Sequence, residues 1–102
     1  MEGVIQSKVI KSTQYCDLIA QGISQEGNDI SAVEKIYIHS IKREEIRFAW
    51  YKNEGEVIRF VPRPLDLTEE ELLKLLKSGF ENDVFTDAFE LELRDYLLNN
   101  MS

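Results

Sequence analysis

The pattern of hydrophobic and polar positions changes its period near Pro64. Before that point apolar residues tend to alternate with polar ones, the spacing that places one side of a β-strand against a core. Beyond it they recur at every third or fourth position, as on one face of an α-helix. The pattern predicts an α+β fold: an antiparallel β-sheet meander over residues 3–62, followed by two C-terminal helices packed on it.

The clearest strand pair is a hairpin within residues 45–61. Its first strand holds two alternating sets, which must point to opposite faces of the sheet: Ile46, Phe48 and Trp50, and Arg47, Ala49 and Tyr51. The turn cluster KNEGE follows, and β-branched and aromatic residues resume at Val57. We expect a loop of about three to five residues. Pro62 and Pro64 should end the second strand, because proline has no N–H for the ladder.

Earlier stretches extend the sheet toward the N-terminus. The β-branched residues of Gly3–Lys11 predict a strand. Residues 13–23 fit either a strand or a helix capped by Thr13, and their β-rich neighbours favour the strand. The segment SQEGNDIS, residues 24–31, predicts a turn or loop.

The chain alternates cleanly again over residues 35–41, which predicts another strand. Lys42, Arg43 and Glu44 should then turn the chain into the hairpin. Residues 32–61 therefore read as a three-stranded antiparallel meander.

A first helix is predicted over residues 68–79. Thr68 and Glu71 have the spacing of a capping box, and Gly79 stands where a helix C-cap is expected. A broad apolar stripe runs along this helix: Leu72, Leu73, Leu75, Leu76 and Phe80.

A second helix is predicted over residues 86–98, with Thr86 as its N-cap and Phe85 and Phe89 helping to fix its entry. Both helices form a helical tail, residues 66–99. With 102 residues the whole chain, 1–102, is expected to be a single domain.

The net charge of −7 is unevenly distributed. Residues 66–102 contain ten Asp/Glu against three Lys/Arg and so carry all of it, whereas residues 35–63 contain seven Lys/Arg against four Asp/Glu. Such asymmetry bears on solubility and partners rather than on fold. The favoured interpretation is a solvated acidic helix face that keeps a small protein soluble.

Cys16 is the only cysteine, so no internal disulfide can form, and a reducing, cytoplasmic location is expected. No apolar run approaches the length of a membrane span, and no basic-then-apolar leader opens the sequence. We therefore expect neither membrane insertion nor secretion.

Catalytic chemistry has no sequence signature in this chain. His39 is the only histidine, Cys16 has no visible base beside it, and the C-terminal carboxylates lack the spacing of a calcium loop. We expect a protein that is not an enzyme and that has no metal site and no cofactor. An enzyme or a binder of a small nucleotide would need a polar pocket that the sequence does not reveal.

Binding by a surface is the remaining class. Cations and rings interleave around the hairpin, and we take five residues as candidates for contacting nucleic acid: Arg47, Trp50, Lys52, Arg59 and Arg63. Aromatic residues of a sheet can stack single-stranded bases while cations hold the phosphates. Alternatively Trp50 faces the core while the arginines face water.

The run IRFAWYKNEGE, preceded by KIYIHSIKREE, resembles the hairpin of the transcriptional coactivator family known as positive cofactor four. Arg47, Trp50, the Glu54–Glu56 turn and Leu72 occupy matching places, and the resemblance spans about Lys35–Leu76. It implies a curved four-stranded antiparallel sheet followed by a helix through which two copies dimerise, and binding of single-stranded DNA.

By that resemblance Arg47 and Trp50 would contact nucleic acid, and Arg59 or Arg63 would stand in for the family's basic segment. The resemblance and the apolar stripe of residues 68–80 both imply a homodimer. The chain departs from the family in its second helix and its strong negative charge.

A different class is therefore kept open: an acidic protein-binding inhibitor or adaptor, for example of phage or mobile-element origin, that blocks a host nuclease or defence factor. Its acidic helices would offer carboxylates to the lysines and arginines with which such a partner holds phosphates.

Overall fold

Five β-strands and two α-helices follow one another in the computed structural model, which describes residues 9–101. The elements are β1 (Lys11–Ser12), β2 (Cys16–Glu26), β3 (Asp29–Ile38), β4 (Arg43–Asn53), β5 (Ile58–Val61), α1 (Glu69–Glu81) and α2 (Asp87–Asn100). The strands form one antiparallel meander in the order β1-β2-β3-β4-β5. The predicted α+β class is confirmed. Most of the strand predicted over Gly3–Lys11 lies outside the described residues.

The ambiguous stretch from residue 13 is a strand, β2, as its neighbours favoured. Thr13 does act as a cap, but of a turn: its hydroxyl accepts hydrogen bonds from the backbone N–H groups of Tyr15 and Cys16. The loop predicted over residues 24–31 was wrong in extent. β2 and β3 pair through it to a tight turn at Gly27, whose φ is +62°, because a continuous ladder outweighs the weak β-propensity of polar side chains.

The strand predicted over residues 35–41 ends at Ile38, earlier than expected. Lys42 adopts the left-handed conformation, with φ 52°, and closes a turn that precedes β4. Arg43 and Glu44, expected in that turn, are the first residues of β4. The turn therefore lies about three residues earlier than the polar run Lys42–Glu44 suggested.

The hairpin prediction is confirmed. β4 and β5 pair from Trp50 opposite Val61 to Asn53 opposite Ile58. Gly55 lies in the intervening loop with φ +86°, a conformation that favours glycine.

The sheet presents two faces that differ in what covers them. We call the side against which α1 packs the helix face; it includes Gly22, Val33, Phe48 and Trp50. The other side, against which α1 does not pack, we call the open face; it includes Glu34, Arg47, Ala49 and Tyr51, and its central side chains, such as Glu34 and Ala49, are nevertheless buried. Cross-strand partners share a face, as Val33 opposite Phe48 and Glu34 opposite Arg47 show.

α1 begins with the predicted capping box, in which Thr68 and Glu71 each accept a hydrogen bond from the other's backbone N–H. Gly79 was expected to be the C-cap, but it lies inside the helix, which ends at Glu81 and has Asn82 as its C-cap. A Cβ on Gly22 would lie 2.6 Å from the backbone of Ser78 and Gly79. The missing Cβ of Gly22 thus lets the strand backbone touch the helix backbone, and that of Gly79 makes room for the side chains of Val33 and Phe85.

One core cluster lies between α1 and the helix face. It is formed by Ala20, Val33, Leu75 and Val84, with Leu65, Leu67 and Phe85 packed around them. Further buried apolar residues lie on the opposite face of the sheet: Leu18, Ile30, Ala32, Ile36 and Ala49.

α2 begins at the predicted N-cap, Thr86, whose hydroxyl accepts from the N–H of Phe89. The two helices were expected to pack on the sheet together, but no residue of α2 is buried. The reason is the spread of its apolar residues: Phe89, Leu93 and Leu97 form one stripe, whereas Leu91 and Leu98 lie on the other side of the helix. Its first turn is held by stacking of Phe89 on Phe85, with ring centroids 5.2 Å apart.

Candidate binding surfaces

The five residues predicted to contact nucleic acid do not share one surface. Trp50, Lys52 and Arg59 lie on the helix face, with Lys52 directly opposite Arg59. Arg47 lies on the open face, as the two-residue period of β4 predicted. Arg63 follows the end of β5 and is exposed.

Trp50 is half-buried, between the core and the surface positions that the sequence left open. Its indole Nε1 donates to Asp29 Oδ1 at 3.0 Å. Lys52 Nζ lies 3.2 Å from the same oxygen and 5.7 Å from the centroid of the indole. The hydrogen bond from Trp50, then that from Lys52, lowers the pKa of Asp29. The ammonium nearest the ring is thus already neutralised.

A polar cavity of about 330 Å³ opens beside Trp50. It is lined by residues of β2, β3, α1 and the segment before α1, among them Ser24, Glu26, Asp29, Asp66, Glu71 and Lys74. Four of these six side chains are carboxylates and one is a cation. Their charge disfavours a phosphate next to the indole ring.

The other candidate cations also have carboxylate partners, with one exception. Arg59 Nη2 lies 3.0 Å from Glu54 Oε2 in the hairpin loop, and both side chains are about half exposed. Among the described residues, Arg63 forms no ion pair within 4.0 Å. Pairs as exposed as Arg59–Glu54 add little stability, so Arg59 can exchange its partner.

Arg47 belongs to a buried network centred on Glu34. The Glu34 side chain is fully buried and accepts three hydrogen bonds. Arg47 Nε donates to Oε1 at 2.9 Å, and Nη2 of the same guanidinium forms an ion-pair contact with that oxygen at 2.8 Å. Gln21 Nε2 at 2.8 Å and the Tyr51 hydroxyl at 2.7 Å donate to Oε2. Both oxygens of the buried carboxylate therefore have partners.

The network changes the protonation of its members. Burial, followed by the hydrogen bond to Glu34 and its charge, raises the pKa of Tyr51 to about 12. Burial acts to lower the pKa of Arg47, but the hydrogen bond and charge of Glu34 raise it overall. Tyr51 is therefore a neutral donor at neutral pH and Arg47 a permanent cation. This arrangement links three strands, β2, β3 and β4, and leaves Arg47 fewer donors for a ligand.

Sequence reasoning did not identify Glu34. A signal was present, because Glu34 falls opposite Arg47 once the turn between β3 and β4 is placed correctly. The misplaced turn hid that register.

His39 lies in the turn after β3 with both ring nitrogens bonded. Nδ1 is 3.1 Å from the carbonyl oxygen of Gln14, and Nε2 is 3.0 Å from Asp17 Oδ1. The Ser12 hydroxyl donates to the same Asp17 oxygen at 2.6 Å. The bond to Gln14, then that to Asp17, raises the pKa of His39. Within residues 9–101, no group of three or more His, Cys, Asp or Glu residues is placed to hold a metal ion.

An exposed apolar surface forms a groove between β4, α1 and α2. We call it the apolar groove; its cavity has a volume of about 570 Å³. It is lined mainly by Ile46 and Phe48 of β4, Leu76 and Phe80 of α1, Val84 and Phe85 between the helices, and Phe89 and Leu93 of α2. Ile46 and Phe48 are 44% and 48% exposed, which is unusual for large apolar side chains on a sheet face that carries a helix.

A second, shallower cavity of about 680 Å³ follows α2 from Phe80 to Leu97. Charged residues border both cavities: Lys35, Glu44 and Glu45 at the groove, and Asp87, Glu90 and Arg94 along α2. The sequence predicted an apolar stripe on the first helix, but not that the second helix would leave a groove open beside it.

Comparisons with protein-family models, curated proteins and solved structures return no match for this chain. The resemblance to the positive cofactor four family therefore stays a prediction. Over the described residues, neither helix combines the length and apolar character that crossing a bilayer requires.

Proposed function

We propose that this protein is a small acidic binding module that recognises another protein, in the manner of an inhibitor or adaptor. The observation that carries the proposal is that α2 buries no residue although Phe89, Leu93 and Leu97 form an apolar stripe beside the groove. Apolar helix faces of soluble proteins are normally buried against something. A helix of 14 residues also gains little stability on its own in water. A partner that fills the apolar groove would bury the apolar stripe and would also stabilise the helix.

The charges around the apolar groove favour a basic partner. Residues 66–102 carry ten Asp/Glu against three Lys/Arg, and Glu44 and Glu45 flank the strand side. A segment that interleaves apolar residues with lysine or arginine, such as one face of an amphipathic helix, matches this surface. Nucleic-acid-binding proteins carry such cations where they hold phosphates. An inhibitor of a nuclease or defence factor, as a phage or mobile element would encode, fits these charges.

A pair of matched variants tests this function. Leu93 lines the groove, whereas Leu98 is 67% exposed on the far side of α2. Wild type, Leu93→Asp and Leu98→Asp are immobilised, and the proteins captured from a cell extract are quantified by mass spectrometry. We expect a basic protein retained by wild type and Leu98→Asp and lost with Leu93→Asp. That protein is then purified, and its Kd for each variant is measured by calorimetry.

Equal capture by Leu93→Asp and Leu98→Asp would contradict the use of the groove. Circular dichroism of both variants shows whether either has lost its fold, which would disqualify it from the comparison. A partner whose binding is strengthened by added salt would contradict the charge match, since screening weakens attraction between opposite charges.

Single-stranded nucleic acid is the second candidate ligand. The observation that favours it is that Trp50, Lys52 and Arg59 share the helix face, so one strand could contact all three. Fluorescence anisotropy of labelled single-stranded DNA and RNA at low salt tests it. Trp50→Ala should cost about 1–3 kcal/mol of binding, and Arg63→Ala should flatten the log–log salt dependence by roughly 0.7. No binding at low salt, where electrostatic attraction is greatest, would remove this candidate.

A further inference from the structure

One edge of β4 is only partly paired. β3 pairs with β4 along its length, from Ile38 opposite Arg43 to Asp29 opposite Lys52. On the other side, β5 pairs only with Trp50–Asn53. Over the described part of the chain, residues 43–49 form no backbone hydrogen bond on that side. In an antiparallel ladder every second residue directs its N–H and C=O outward, so this edge carries free donors and acceptors.

The edge lacks two of the usual features that prevent pairing with another strand, a proline and a β-bulge. It contains no proline, and its register with β3 is continuous, without a bulge. It also adjoins exposed apolar side chains, Ile46 and Phe48, on the helix face. Its charges are two of each sign, so the segment is neutral although the whole chain is not: Arg43, Glu44, Glu45 and Arg47.

We propose that this edge pairs antiparallel with the same edge of a second copy of the chain, about a two-fold axis at Ile46. In this register Ile46 faces Ile46 of the second copy, and Glu45 faces Arg47 of the second copy. The two-fold repeats the charge pair, as in any symmetric dimer of this type. Two five-stranded sheets would then form one continuous ten-stranded sheet.

The pattern of charges selects this register. Residues that face each other across the two strands must lie on the same face of the sheet. The two-fold axis must therefore pass through a residue, and the alternatives next to Ile46 are Glu45 and Arg47. A shift of the axis to Glu45 places Glu45 opposite its own copy, and a shift to Arg47 places Arg47 opposite its own copy. Like charges directly opposite each other are destabilising, whereas opposite charges are favourable. The axis at Ile46 is flanked by two complementary pairs instead.

The side chains are available for these contacts. The Glu45 side chain is 38% exposed, and its present partner is Arg43 on the same strand. The Arg47 side chain is 36% exposed and uses Nε and Nη2 for Glu34. Glu45 of the second copy can therefore approach Arg47 from the solvent side without breaking the bond to Glu34. This dimer differs from the one expected from residues 68–80, because it joins sheets rather than helices.

Sedimentation velocity of the wild type over a range of concentrations tests the dimer. We expect a species of about 24 kDa, twice the chain mass of 11.9 kDa. Glu45→Lys places a lysine opposite Arg47 at both symmetric positions and should weaken dimerisation by at least about tenfold. Glu56→Lys makes the same change of charge in the exposed hairpin loop and should leave dimerisation unchanged. Only the 11.9 kDa species at all concentrations would overturn the proposal.

Cysteine cross-linking tests the register separately. In a Cys16→Ala background, Ile46→Cys should give a disulfide-linked dimer under mild oxidation. Directly opposed strand residues have Cα atoms about 4.5–5.5 Å apart, within the range of a disulfide. Leu98→Cys, at a position that is more exposed (67% against 44% for Ile46) but remote from the edge, should stay monomeric. If Glu45→Lys does not weaken the dimer, and Ile46→Cys cross-links no faster than Leu98→Cys, the dimer uses another surface. That result would also overturn the proposal. If the chain does not form this dimer, the proposed function is still tested by the groove experiment, because that experiment measures binding of a different protein.

Discussion

The guanidinium of Arg47 forms an ion pair with the fully buried carboxylate of Glu34, in which Nε donates a hydrogen bond at 2.9 Å and Nη2 lies 2.8 Å from the same oxygen. The pair joins β3 to β4 on the open face, opposite in direction to Trp50. A cation that the sequence suggested for phosphate binding is thus part of the interior of the sheet.

Removal of Arg47 should destabilise the fold. Arg47→Ala leaves Glu34 charged and buried, and loss of one partner of a buried ion pair costs about 3–5 kcal/mol. Because Gln21 and Tyr51 still donate to Glu34, we expect the lower end of that range in urea unfolding. Arg59→Ala is the control: its half-exposed pair with Glu54 should contribute less than about 1 kcal/mol. Equal effects of the two substitutions would contradict the interior role of Arg47.

The close contact of α1 with β2 should not tolerate a methyl group. Gly22→Ala places a Cβ 2.6 Å from backbone atoms of α1, which cannot move aside independently. Gly79→Ala meets side-chain atoms of Phe85 and Val33 at 2.8 Å and 2.9 Å, and it gains helix propensity. Overpacking costs about 1–3 kcal/mol, so we expect a larger loss for Gly22→Ala. Thermal unfolding ranks them, and a milder effect at Gly22 would contradict the backbone contact.

The ion pair of His39 with Asp17 should give stability a defined pH dependence. The folded protein raises the pKa of His39 above 6.5, so its contribution is complete below that value and is lost as pH rises through the folded pKa. Asp17, whose pKa is lowered by Ser12 and then His39, contributes above 3.8 and loses its effect as pH falls through the folded pKa. His39→Gln should therefore abolish the decline in stability that accompanies a rise in pH above 6.5.

NMR titration of the single imidazole checks the shift directly. Its midpoint should lie above 6.5 in the folded protein and move downward in Asp17→Asn. An unchanged midpoint in Asp17→Asn would contradict the pairing.

Protection of backbone amides should differ between the two helices. Leu75 and Gly79 anchor α1 in the core, whereas α2 buries no residue. Local opening costs least where few apolar contacts must be broken. Hydrogen–deuterium exchange of the free protein should therefore be faster over α2 than over α1, and binding of a partner in the apolar groove should slow it. Equal protection of both helices without a partner would contradict this expectation.

Local patterns predicted the elements well where local physics decides them. The capping box of Thr68 and Glu71, the N-cap Thr86 and the β4–β5 hairpin depend on neighbours in sequence, and all three were predicted correctly. The role of Gly79 was not, because a glycine near a helix end looks the same whether it caps the helix or admits a strand. That difference depends on Gly22, a residue far away in the sequence.

The candidate binding surfaces also depend on contacts between residues that are far apart in the sequence. Alternation placed Arg47 and Trp50 on opposite faces correctly. It could not show that Glu34 lies beneath Arg47, because that pairing depends on a turn at Lys42 in the left-handed conformation, which sequence patterns place poorly. Nor could it show that α2 stays clear of the core, since its apolar residues are as numerous as those of a packed helix.

The contact between Gly22 and Gly79 also affects how wide a segment of the proposed partner the apolar groove could accept. It fixes the distance from α1 to the sheet, and with it the positions of Leu76 and Phe80. The opposite wall, formed by Phe89 and Leu93, is held mainly through the stacking of Phe89 on Phe85. The α1 side of the apolar groove is therefore fixed against the sheet, whereas the α2 side is held by few contacts and can adjust. If the proposed partner binds there, the apolar groove can close on side chains of different sizes, and selectivity would come from charge more than from shape.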